Sequence, residues 1–98
     1  MLYTIHFHDN ADAAPDIRPR YMQKHLAFLS ENSATIRAAG PLKEGDGTVE
    51  SGLWLVEVES IDQAWGLVKA DPFWPTGLRD TVEVKHWAQV FADGQALV

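Results

Sequence analysis

A chain of 98 residues has room for one hydrophobic core, and residues 1–98 read as a single domain. With 46% hydrophobic and 22% charged residues it is too apolar for a disordered chain. A formal charge of −6 without a basic patch argues against nucleic acid and against an anionic membrane surface as partners. No apolar run approaches the roughly 18–20 residues of a membrane span, and Met1–His8 lacks the basic start and apolar block of a signal peptide. The absence of cysteine removes disulfides and thiolate metal sites. A cytoplasmic protein fits these features.

Met1–His8 alternates, with Tyr3, Ile5 and Phe7 on one side and Leu2, Thr4, His6 and His8 on the other, which predicts a strand. A polar loop leads to a helix over Asp16–Asn32, with Asp16 as its N-cap and Pro19 in the first turn, where a missing N–H costs little. Tyr21, Met22, His25, Leu26, Phe28 and Leu29 recur at helical spacing and form an apolar stripe that includes His25. A second strand is expected over Thr35–Leu42, a hairpin loop over Lys43–Glu50, and a central third strand over Gly52–Glu59. Ser60 and Gln63 have capping-box spacing at the start of a helix running to Ala70. Two prolines and Gly77 restrict the next segment to a turn or a single helical turn. Thr81–Phe91 reads as a fourth strand and Asp93–Val98 as a tail.

The order β-α-β-β-α-β is the split, ferredoxin-like α+β pattern. Two helices cover one face of a four-stranded sheet, and strands three and four offer apolar side chains to both faces. A homodimer follows, built through the uncovered face or by exchange of the segment Trp87–Phe91.

Among residues with chemistry, His25 is a helix-borne imidazole on an apolar stripe. It suits a general acid/base if a carboxylate holds its tautomer, and otherwise it is a hydrogen-bonded core residue. Asp71 is the candidate partner. Read locally, Asp71-Pro72 is first of all a helix cap followed by proline at the first helical position. His6 and His8 can bind a metal with His86 or Asp9, but no recognised ligand spacing supports this, so they read as sheet-face residues and no metal is assigned. Asp9 is a turn residue or a carboxylate presented to a cleft. Arg18 and Arg20 either clamp an anionic group or are solvated on the first turn of the helix. No phosphate-binding glycine loop or nucleophilic serine motif occurs.

Taken together, Met1-Leu2-Tyr3 running to Asp9, Arg18 with His25-Leu26, Ala39-Gly40-Pro41-Leu42, Gly52–Ser60, Ala70-Asp71-Pro72-Phe73 and Val84–Phe91 resemble the YCII-related domain family over almost the whole chain. The resemblance implies a ferredoxin-like domain that pairs into a dimeric α/β barrel. It also implies a His–Asp dyad at His25 and Asp71, with Asp9, Arg18, Gly40, Pro41 and Phe73 bordering a pocket for a small-molecule ligand. Enzymatic relatives imply lyase or hydrolase-like acid/base chemistry without a cofactor, including dehydrochlorination of a chlorinated aromatic diol or triol. The alternative is a metabolite-binding or accessory domain that changes no bond. Trp74-Pro75 and the compact Lys43–Glu50 loop depart from shorter family members and would reshape the pocket wall.

Overall fold

A computed structural model describes all of residues 1–98. The elements are β1 (Leu2–Asp9), α1 (Ile17–Glu31), β2 (Ile36–Lys43), β3 (Val49–Glu57), α2 (Ile61–Ala70), a 3₁₀ turn (Trp74–Thr76), β4 (Arg79–His86), β5 (Phe91–Ala92) and β6 (Gln95–Ala96). The first four long strands form one antiparallel sheet in the order β2-β3-β1-β4, with β1 and β3 at its centre. This is the expected α+β ferredoxin-like arrangement, two helices packed on an antiparallel sheet. No helix is long and apolar enough to cross a membrane.

Period two in β1 sends Tyr3, Ile5 and Phe7 to the helix side, where they are buried with Trp54 and Val56 of β3 and with Ala64 and Val68 of α2. Phe28 and Leu29 of α1 and Val82 and Val84 of β4 pack against this cluster. Pro41 interrupts no interior ladder, because β2 is an edge strand. At α2, the Ser60 hydroxyl accepts from Gln63 N–H at 3.2 Å, while the Gln63 side chain accepts from Glu59 N–H at 2.8 Å. The reciprocal bond therefore reaches one residue further back than in a standard capping box. Gly77 ends the 3₁₀ turn at φ 81°, a left-handed conformation that favours glycine.

Three expectations are corrected. Asp16 occupies the N-cap position of α1 without a side-chain capping bond. The third strand starts earlier, at Val49, and ends at Glu57. The fourth strand starts at Arg79 and stops at His86, and the expected tail is half of a small hairpin in which β5 pairs with β6 and not with the main sheet. Asp93 and Gly94 supply the tight turn with φ of 54° and 78°. This terminal hairpin makes the molecule extended: the radius of gyration is 14.3 Å, against about 13 Å for a compact chain of this length.

The burial pattern fixes where stability resides. Ile5 is fully buried in the core and Ile61 is largely exposed at the start of α2. Ile5→Ala is expected to lower the unfolding free energy by about 2–5 kcal/mol, and Ile61→Ala to change it by no more than about 0.5 kcal/mol, as read by urea denaturation.

Candidate active site

The helical spacing of Arg18, Met22, His25 and Leu29 turns one side of α1 toward the sheet. Opposite lie Ala39, Gly40 and Pro41 of β2 and Gly52 of β3, where small side chains leave space. The result is a cavity of about 200 Å³ bounded by these residues together with Phe7, Asp9, Trp54 and Arg79. A Cβ on Gly52 would meet the Gly40 carbonyl oxygen at 3.4 Å, an ordinary van der Waals contact.

His25 is buried on α1, with its ring against Phe73 at a centroid distance of 4.7 Å and against Trp54 at 6.1 Å. Its Nδ1 lies 2.8 Å from Asp71 Oδ1. A carboxylate only accepts, so Nδ1 carries the hydrogen and donates it, and Nε2 has no hydrogen-bond partner within the protein. Asp71 terminates α2 with extended backbone (φ −65°, ψ 133°), and its side chain is fully buried. The helix-capping reading of Asp71 is therefore corrected: both carboxylate oxygens are spent on tertiary partners. Oδ1 receives His25, and Oδ2 receives the Arg79 guanidinium. Only the backbone carbonyl of Asp71 serves the following turn, accepting from Trp74 N–H at 2.8 Å.

Arg79 is the residue that the sequence reading missed. Its guanidinium carbon lies 3.8 Å from the Phe7 ring centroid and 5.4 Å from those of Trp54 and Phe73, so the cation is enclosed by aromatic faces. Burial pushes its pKa below the ordinary arginine value, and the adjacent Asp71 carboxylate pulls it back up. Strand parity counted from Val82 and Val84 places Arg79 on the outer face. A register shift between His8 and Asp9 turns it inward, opposite Asp9.

Asp9 and Arg18 form a second pair at the cavity edge, with Arg18 donating through two nitrogens at 2.9 and 3.3 Å. Of the residues expected at a pocket, Asp9, Arg18, His25, Gly40 and Pro41 line one cavity. Phe73 does not line it; it is buried behind the His25 ring. Asp71 also lies behind the imidazole. Arg20 stays on the surface over the Tyr21 ring. His6 and His8 lie on the opposite face of the sheet, where Glu83, and not His86 or Asp9, is the third group beside them.

The YCII-related domain model matches residues 1–88. The chain belongs to the YCII-related domain family. Among solved structures, it is similar to 5-chloro-2-hydroxyhydroquinone dehydrochlorinase from Burkholderia phenoliruptrix AC1100 in complex with 2,5-dihydroxybenzoquinone. The identity is 28% and the TM-score 0.75, over 89% of this chain and 93% of that one. The Mycobacterium tuberculosis protein Rv0793 shares the fold at 17% identity and a TM-score of 0.50, over 94% and 96% of the two chains. No curated protein sequence matches the chain. The terminal hairpin falls outside the family match, and the cavity and its charge pairs fall inside it.

The buried and exposed ion pairs predict different costs. Arg79→Met strands a carboxylate inside the protein and is expected to lower stability by about 3–5 kcal/mol. Arg37→Met breaks only the exposed contact to Glu57 and is expected to cost less than about 1 kcal/mol. Parallel urea titrations of the two variants check the contrast.

Proposed function

We propose that this protein is a small-molecule enzyme in which His25 moves a proton and Asp71 holds the imidazole, acting on a single hydroxylated ring. The observation that carries this reading is the 2.8 Å His25–Asp71 contact beside a cavity that His25 lines and Asp71 does not. In that arrangement a ligand meets the imidazole, while the carboxylate behind fixes its tautomer and stabilises its cation, the division of labour found in acid/base dyads. A cavity of about 200 Å³ suits a substituted single ring, since about 150 Å³ admits benzene. Phe7 and Trp54 supply flat apolar walls, and the Asp9–Arg18 pair offers polar contacts at the edge.

The likeness to the dehydrochlorinase supports elimination as the reaction type. In such a step His25 Nε2 takes the proton of a ring hydroxyl while the carbon bearing chlorine receives a proton and the ring takes its keto form; a second hydroxyl proton is then lost, its O–H electron pair becoming a new π bond as chloride leaves with the electrons of the C–Cl bond. The imidazolium then returns its proton to water. None of this chemistry calls on a group beyond the dyad and a cavity that sheds bulk water.

The test uses 5-chloro-2-hydroxyhydroquinone as substrate and 2,5-dihydroxybenzoquinone as ligand. Chloride release by the wild type is expected, with His25→Gln slower by about 10²–10⁴-fold and thermal stabilisation by the quinone retained. Stabilisation by the quinone without chloride release would favour a metabolite-binding domain. Absence of both would overturn the choice of a hydroxylated ring.

The reading includes a homodimer. Val90 and Phe91 are 60% and 63% exposed, and Trp87, Leu97 and Val98 add exposed apolar surface to a terminal arm whose hairpin is not part of the main sheet. A second copy covering this arm accounts for it. Sedimentation velocity at micromolar concentration is expected to show a dimer, and a chain ending at Gln89 a monomer. A monomeric wild type contradicts the assembly.

A further inference from the structure

Period two in β1 places His6 and His8 together on the face of the sheet opposite the helices, and the β1–β4 register sets Glu83 directly across from His6. The two rings stand 4.3 Å apart between centroids. His8 Nε2 lies 3.3 Å from Glu83 Oε1. One ring nitrogen from each histidine and a carboxylate oxygen of Glu83 all fall within 4.8 Å of one another. His6 Nε2 is shielded from solvent and has no hydrogen-bond partner, alone among the buried side-chain nitrogens and oxygens of the protein. A buried nitrogen lone pair left unsatisfied calls for an explanation.

We propose that His6, His8 and Glu83 bind a divalent transition-metal ion of the zinc or nickel class, at a site separate from the His25 cavity. Two neutral imidazoles and one carboxylate are the ligand types such ions take, whereas calcium and magnesium favour all-oxygen sets. Ligand atoms about 2.0–2.1 Å from a tetrahedral ion stand about 3.3 Å from each other. The His8–Glu83 edge already has that length, and a side-chain rotation of His6 closes the remaining gap without breaking a hydrogen bond. His6 and His8 also border an open groove of about 970 Å³, which leaves a coordination position to water or to an added ligand. Three protein ligands with one open position is the pattern of exchangeable metal sites and not of closed structural ones.

One group on the same face opposes the ion. Lys85 Nζ lies 3.6 Å from Glu83 Oε2 and contributes a like charge beside the site. The metal reading thus makes a prediction with a definite sign: Lys85→Gln tightens binding.

The experiment is calorimetric titration of zinc chloride into the untagged, metal-free full chain, with the histidine ring resonances followed by NMR. One ion per chain is expected, shifting His6 and His8. His8→Gln and Glu83→Gln are each expected to weaken binding at least tenfold. Both side chains are about half exposed, at 43% and 49%, so these substitutions leave the fold intact. His25→Gln is expected to bind zinc as the wild type does. Absence of saturable binding, affinity unchanged in both outer-face variants, or loss of binding in His25→Gln would overturn the proposal.

Discussion

The buried carboxylate of Asp71 is the constraint around which the molecule is arranged. Its side chain has no solvent contact, and an isolated carboxylate in such a place is strongly disfavoured. It persists because Arg79 and His25 each take one of its oxygens. These three residues come from the end of α2, the start of β4 and the middle of α1, so one charge cluster ties together elements otherwise joined by apolar packing. Arg79 supplies the compensating charge, which leaves the imidazole to be held and not consumed as the only counter-ion.

The cavity is the complement of this cluster. Ala39, Gly40, Pro41 and Gly52 withhold side-chain volume from the part of the sheet that faces Met22, His25 and Leu29, so α1 bridges a gap. The charged residues that line it are paired, Asp9 with Arg18 and Arg79 with the Asp71 carboxylate behind the wall, and the second nitrogen of His25 has no protein partner. A space walled by aromatic faces and balanced charge favours a flat, polar-edged ligand over a free ion.

Much of this was legible in the sequence because it depends on local rules. The alternation of Tyr3, Ile5 and Phe7, the stripe through His25 and the Ser60 cap each declare themselves within one turn or one strand, and together they give the split β-α-β-β-α-β order. The environment of Asp71 was not legible locally. Asp-Pro is also a common helix-capping pair, and only tertiary partners separate the two readings. Arg79 was hidden by geometry: a single-residue shift opposite His8 and Asp9 leaves Asp80 unpaired and reverses the face of Arg79, and nothing in the composition of β4 announces that bulge. The terminal strand was overrun for a related reason. Alternation continues past His86 to Phe91, yet the chain leaves the sheet there and Phe91 pairs with Ala96 instead.

That bulge shapes the cavity wall as well as the register. Without it, Asp9 would still face the helices, since it continues the parity of Tyr3, Ile5 and Phe7, but its partner on β4 would be Asp80, and Arg79 would point away from the core. The shift lets Asp9 and Arg79 occupy the same side, within one cavity wall, and brings the guanidinium over Phe7. Beyond the shift, the outward positions carry His8 and Thr81, then His6 and Glu83. One backbone irregularity therefore separates two polar clusters on opposite faces of the same strand pair, and any substitution that regularised β1 and β4 would be felt at both.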